Sequence, residues 1–534
     1  MRKTIFTCLI ISLLSTSNLL SQVLPFQILL EPLYIPNIGG LQSFAFGQHD
    51  GKWLIVGGRL DGLHRRQPFA SFDVAGNNNM LVVIDPVTQQ RWTCGLDSLT
   101  TSIQEQLSST NMEFHQDGSN LYLIGGYGYN SASGSRKTFD YLTAIDIPQV
   151  INAVINSTSV SPFIRQITDP KFAVTGGHLK KINETYYLIG GNKFDGDYNP
   201  MGHATYTQEY TNAIRKFDLL DDGVNITVVH HTEIYDSVNL HRRDYNAVPQ
   251  ILQSGEEAIS VFSGVFQPNV DLPYLNSVLI DSNNYYVNNN FLQYYNHYHC
   301  ATLPVYSEVS KQMNTVFFGG IAQFYDSLGI LVQDNNVPFV KTIALVSRDS
   351  LGNMMEYKMP LEMPGYFGAG SEFIPNLSND HYANEVFKLD HMILDTTLVG
   401  YIYGGINSSS ANIFFTNNGT QSTASSQIYK VKLVKVASTG VSTTSIANNY
   451  KMDIYPNPNS GDFKIKIELK EIEELKLSIY NLEGKLIKEK QLNNLVIGTN
   501  IIDVALNDKL IANSYLVKIN SSTHSLQRII VVED

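Results

Sequence analysis

The stretch "NLYLIGGYGYN", Asn120–Asn130, decides the fold. A bulky apolar run of strand character ends on Gly125-Gly126, and the phrase recurs. It returns as "WLIVGGR" (Trp53–Arg59), "YYLIGGN" (Tyr186–Asn192), "TVFFGGI" (Thr315–Ile321) and "GYIYGGI" (Gly400–Ile406). A weaker copy, "ISVFSGV" (Ile259–Val265), has Ser263 in place of the first glycine. The repeated positions are Gly57, Gly58, Gly125, Gly126, Gly190, Gly191, Gly264, Gly319, Gly320, Gly404 and Gly405.

A longer frame surrounds each copy. Asp-Gly hairpin signals precede it in "FGQHDGKWLIVGG" and "FHQDGSNLYLIGG". A polar loop and another strand follow, as in "MLVVIDPVTQQRW" (Met80–Trp92). Each unit therefore reads as four antiparallel strands with the glycines at the end of the second. Glycine there lets neighbouring backbone approach closely. The frame resembles the kelch family over about Pro25 to Lys435, though the spacing exceeds the ~50 residues of kelch units. The resemblance implies an all-β chain: a six-bladed kelch-like β-propeller at 22–436, then a small C-terminal β-sandwich. The last unit lacks a fourth strand, so Phe26–Pro32 is expected to complete it and close the ring.

Composition agrees with strands and turns: 30 Tyr, 25 Phe and 38 Gly, with only 16% charged residues. A net charge of -12 without a basic stripe disfavours nucleic acid. The start, "MRKTIFTCLIISLLSTSNLLSQ", reads as a signal peptide over residues 1–21. No later stretch is long and apolar enough for a transmembrane span in the mature chain. Cys8 leaves with the signal; Cys94 and Cys300 are either one bond or two buried thiols.

The composition changes near Ser438, where 437–449 reads as a linker. Residues 450–534 alternate in the manner of about seven short strands. Their motifs are Tyr455-Pro456-Asn457-Pro458 with Gly461, "LSIYNLEGKLI" with Gly484, and Tyr515 in "ANSYLVKI". This tail resembles the C-terminal sorting domain of type IX secretion in Bacteroidetes. The resemblance implies passage through the periplasm, recognition by the type IX machinery, and a secreted or cell-surface protein.

In a four-stranded meander the loops after the glycines emerge on one face. Here they are long: Arg59–Asn79, Tyr127–Asp140, Asn192–Tyr210, Ala322–Val337 and Asn407–Ser426. Binding residues concentrate on such loops, so this face and the channel mouth are the expected working surface. Candidate ligand-binding residues are His178, Arg242, Arg243, His297 and His299. His297 and His299, at i and i+2, would share a strand face that a metal could use, but no third ligand can be named. The arginines could hold a sugar carboxylate or pair with blade carboxylates. No catalytic, dinucleotide or metal motif is present, so catalytic residues stay unassigned and no metal or cofactor is expected. Two functions follow. One is binding of carbohydrate or protein ligands at the cell surface. The other is an enzyme on surface glycans, a sugar-acid isomerase, lyase or hydrolase, using the Arg and His cluster.

Overall fold

The computed structural model describes residues 24–435, apart from 68–70, 202–204 and 328–329. In the tail it describes 451–532, apart from 458, 470–474, 482–485, 494, 507–512 and 521–524. The signal peptide, the linker, Pro458 and Gly484 lie outside the described residues. The chain divides into two compact units, 1–435 and 436–534.

The described residues of the first unit form six main sheets, each with four antiparallel strands; five take the four in chain order, and the third and fifth add a short extra strand, Ile234–Tyr235 and Phe387–Lys388. The first is Ala45–His49, Lys52–Val56, Met80–Asp85 and Gln90–Gly95. The second is Glu113–Asp117, Asn120–Ile124, Tyr141–Asp146 and Ile164–Thr168. His178–Ile182, Thr185–Ile189, Ala213–Asp221 and Ile226–His230 make the third. The fourth is Asn246–Ile251, Glu257–Phe262, Ser277–Ile280 and Tyr285–Asn288. The fifth is Thr302–Ser307, Gln312–Phe318, Thr342–Arg348 and Met354–Glu362. The sixth takes Ser371–Pro375, Thr396–Gly404 and Ile428–Lys435 from the end of the unit and Phe26–Leu33 from its start. The register runs from Phe26 opposite Lys435 to Leu33 opposite Ile428, so the N-terminal strand sits where the sequence places it.

Apolar side chains fill the seams between successive sheets. One core joins the first two sheets, with Leu54, Val83, Leu123 and Ile145 fully buried. Others join the second to the third, the third to the fourth, the fifth to the sixth, and the sixth back to the first. Only the fourth and fifth sheets meet through two smaller patches, one around Phe262 and Phe317 and one around Ile251 and Tyr306.

The glycine pair serves these seams. Gly126 N–H donates to Val174 O, which leads into the third sheet, at 3.0 Å. A Cβ on Gly125 would stand 1.9 Å from that same carbonyl oxygen. Both residues have positive φ, 66° and 90°, where a side chain is strained in any case. Equivalent bonds run from Gly58 to Ser109, Gly191 to Arg242, Gly264 to His297, Gly320 to Phe367 and Gly405 to Leu41. Each leads from one sheet to the entry of the next, and the last leads back to the first. The glycines thus admit the following sheet's backbone, a contact that local strand packing did not suggest.

Three features depart from the sequence reading. The long loops carry hairpins of their own: Tyr127–Asn130 with Ser135–Thr138, Asn192–Gly196 with Tyr206–Tyr210, Phe324–Ser327 with Ile330–Gln333, and Ile406–Ser408 with Ser422–Ala424. The first connection of the sixth sheet is long rather than a tight turn. It places Phe387–Lys388 parallel to Val305–Tyr306. A helix, Ile147–Ile155, interrupts the second sheet and buries Ile147, Val150, Ile151 and Val154. Its signals were available: Asp146 accepts from Gln149 N–H as N-cap, and Pro148 stands in the first turn.

Among the described residues, the second unit has seven strands in two sheets. Lys451–Tyr455, Asp462–Leu469 and Gly498–Ala505 form one; Leu475–Asn481, Leu486–Leu492, Asn513–Asn520 and Ser525–Val532 form the other. Along Asp462–Leu469 exposed and buried positions alternate strictly, and Phe463, Ile465 and Ile467 meet Leu477, Ile479 and Val517 in one core. The sorting motif ties its ends together. Asn457 Oδ1 accepts from Val531 N–H at 2.7 Å, Asn459 Oδ1 accepts from Gly461 N–H at 2.8 Å, and Tyr515 is buried.

Candidate binding site

Six residues just ahead of the six first strands form a closed cycle of backbone hydrogen bonds. Asn111 N–H donates to Ser43 O, Gly176 to Asn111, Asp244 to Gly176, His299 to Asp244, Gly370 to His299, and Ser43 to Gly370, at 2.8 to 3.4 Å. Five of the six, all but His299, have positive φ. This neck separates two cavities that share Asn111, Gly176 and Asp244 in their walls.

On one side lies a channel cavity of about 150 Å³, walled by first-strand residues of all six sheets. His178, Lys180, His299, Glu113, Glu372 and Glu385 line it. His178 Nε2 lies 2.7 Å from Tyr245 O, and its ring meets that of His299 edge-on at 5.2 Å. Burial, then the His299 charge, holds the His178 imidazole well below its ordinary range. Burial would also depress His299, but Glu372, 3.1 Å away, outweighs it and raises the imidazole. Burial pushes Glu113 well above the usual carboxylate range, against one bond from Gly177 N–H at 2.8 Å.

On the other side the long loops enclose a cleft of about 340 Å³. Its walls are aromatic: Phe72, Tyr127, Phe194, Tyr198, Phe266, Tyr298, Phe414 and Phe415. The loops brace one another. Phe72 meets Tyr127 edge-on at 5.5 Å, Tyr127 meets Phe194 at 5.2 Å, and Asn417 Nδ2 donates to Leu63 O at 2.7 Å. Arg136 donates to Phe72 O and, at 2.7 Å, to Asp197. At the floor Arg243 Nη1 binds Asp244 at 2.7 Å, Arg243 Nε donates to Tyr210 Oη at 3.1 Å, and its guanidinium covers Phe266 at 5.1 Å. Burial works against the Arg243 charge, but Asp244 outweighs it and raises the guanidinium further. His64 also lines the cleft; burial pushes its imidazole down to about 4.

The five candidate residues therefore separate. His178 and His299 reach the channel, and Arg243 reaches the cleft. Arg242 lines neither cavity. It is 1% exposed, lies over the Tyr274 ring at 4.0 Å, and donates to Asn239 O, Ser263 O and Asn276. His297 is likewise framework: Nε2 meets Gln293 O at 2.8 Å and Nδ1 accepts from Gln323 N–H at 3.0 Å. With both ring nitrogens used, it cannot ligate a metal. The i, i+2 argument fails because Asn296–Cys300 is not a strand and Asn296 has a φ of 60°. No group of three or more His, Cys, Asp or Glu among the described residues could hold a metal ion. Cys94 and Cys300 are free thiols, and burial pushes Cys300 up to about 12. The sequence reading missed Lys180, Glu372 and the aromatic walls; the walls come from loops that carry no shared motif.

Comparisons with known proteins bear on the tail. Residues 453–533 match the secretion system C-terminal sorting domain. No curated protein matches the chain. A solved structure described as "Structure of YjhT" is 12% identical, with a TM-score of 0.41 over 75% of this chain and 98% of that one. A chain of a "Cryo-EM structure of RAG in complex with one melted RSS and one unmelted RSS" is 12% identical, with a TM-score of 0.35 over 76% and 99%. Neither likeness decides fold or function. Among the described residues no helix is long and apolar enough to cross a membrane. The tail at 453–533 is a secretion sorting domain, and the chain is exported by type IX secretion to the cell surface or beyond it.

Proposed function

We propose that the first unit is a six-bladed kelch-like β-propeller that binds carbohydrate in its long-loop cleft at the bacterial surface. The cyclic run of glycine bonds from each sheet to the next supports the propeller. The observation that carries the binding reading is the cleft: aromatic walls with a few polar groups converging on the floor. Aromatic rings offer large rigid contact area at small conformational cost. The catalytic reading is weaker, because His178 and His299 line the channel beyond the neck and not the cleft. The type IX machinery is the partner that the tail recruits.

The test is a glycan array probed with the full chain and followed by product analysis. The expected result is binding without turnover, lost in Tyr198→Ala and Phe266→Ala. Turnover of a bound glycan would favour the enzyme, and binding indifferent to both substitutions would remove the cleft from the argument.

A further inference from the structure

The floor of the cleft carries its own charge balance. Arg243 and Asp244 are adjacent, paired at 2.7 Å, and their side chains are 24% and 6% exposed. Among the described lining residues the other ionisable groups are His64, Arg66 and three tyrosines. His64 is neutral at pH 7. Arg66 stands at the exposed rim, stacked over Phe415 at 5.6 Å and donating to Phe415 O at 2.9 Å. The remaining polar lining is neutral, and the Asn111 carboxamide has no hydrogen bond among the described residues.

A carboxylate on the ligand would meet Arg243 and Asp244 together. At contact distances the attraction to one and the repulsion from the other have similar size and opposite sign. What remains is the cost of stripping water from the new charge, which Arg66, exposed at the rim and screened by water, offsets little. A hydroxyl-rich neutral ring meets no such cost. Its hydroxyls can donate to Asp244 and accept from Arg243 while its apolar faces lie on the aromatic walls. We infer that Asp244 makes the cleft selective for neutral saccharides and rejects uronic and other acidic sugars. This rests on the carbohydrate reading of the cleft, and it reverses the expectation that the arginines grip a sugar carboxylate.

Matched ligands differing only in charge test it: galactotriose against trigalacturonate, and mannotriose against trimannuronate, titrated calorimetrically into the full chain at pH 7. The expected result is neutral over acidic by about tenfold or more in the pair that binds, since an uncompensated like charge is costly at an interface. Asp244→Asn keeps the side-chain shape and frees Arg243, so the acidic member should gain and the preference reverse. Arg243→Gln, which removes the positive partner, should deepen rejection of the acidic member. Acidic binding equal to or tighter than neutral in the native chain overturns the proposal and leaves the carbohydrate reading standing. A preference unmoved by Asp244→Asn also overturns it. If no saccharide of either kind binds, the carbohydrate reading falls and takes the proposal with it.

Discussion

The seam between the second and third sheets and the seam between the fourth and fifth solve one problem in two ways. At the first, Gly125-Gly126 receives the Val174 carbonyl with no side chain in the way, over a single continuous core. At the second, Ser263 replaces the first glycine at a φ of 53°, its hydroxyl is buried without a partner, and the core is split. Buried polar side chains hold the loop backbone at both seams: at the first, Gln106 Nε2 donates to Gly125 O at 3.3 Å and to Tyr141 O at 3.1 Å. At the second, Arg242 donates to Ser263 O at 2.6 Å and to Asn276 O at 3.2 Å. His297 bridges Gln293 O and Gln323 N–H. Glu356 accepts from Tyr294 N–H at 2.5 Å and Tyr295 N–H at 3.2 Å. The two residues that looked like ligand-binding groups are framework, and Arg242 takes the place that Gln106 holds at the regular seam. A cluster of Arg and His in a sequence can thus mark an irregular packing seam as readily as a site.

The largest expected effect breaks the regular seam. Gly125→Val puts a branched side chain against Val174 O at a positive φ and should cost about 4 kcal/mol or more, read as a lowered urea midpoint or loss of soluble protein. Next is the irregular seam. Arg242→Ala leaves the carbonyls of Ser263 and Asn276 without their donor and should cost about 3 kcal/mol. Arg243→Ala, one residue on, leaves the buried Asp244 carboxylate without its cation and should cost about 2 kcal/mol by the same denaturation while abolishing saccharide binding. Saccharide binding retained in Arg243→Ala, or lost in a folded Arg242→Ala, would erase the distinction between framework and floor.

A smaller effect is the share of the pH dependence that Glu356 adds at the irregular seam. Burial, against the two amide bonds, pushes Glu356 up to about 8 from 4.5. The folded chain therefore holds this proton more tightly than the unfolded chain. The contribution to stability is full below pH 4.5 and is lost as pH rises through about 8. Melting temperature followed across that window should fall, and Glu356→Gln should make the fall shallower by this group's share. The smallest effect repairs the exception: Ser263→Gly relieves the positive φ and removes an unpaired buried hydroxyl, for a gain of about 1 kcal/mol in urea denaturation. A loss of stability there would mean that the serine is more than a tolerated departure.

Much of the fold was legible because its signals are local. Glycine pairs after bulky runs, Asp-Gly turns and alternating strands are written within about a dozen residues of one another. The last unit, ending at Ile428–Lys435 without a fourth strand, was enough to send Phe26–Pro32 to the sixth sheet. The hairpins inside the long loops escaped notice because Tyr127–Asn130 and Ser135–Thr138 are short and mostly polar, with little periodicity to read. Of the candidate site, residue type was visible but facing was not. Arg242 and Arg243 are neighbours, as are the near neighbours His297 and His299, and in each pair one member turns into the seam and the other toward a cavity.

The sequence alone determined the strands, the order of the six sheets, the seam glycines and the exported destination, since each depends on a residue and its close neighbours. Only the tertiary structure decided what lines the cleft and the channel. Their walls and the neck between them are assembled from segments far apart in the chain, held in left-handed turns such as Asp244 at 50°, where strand periodicity no longer says which way a side chain points.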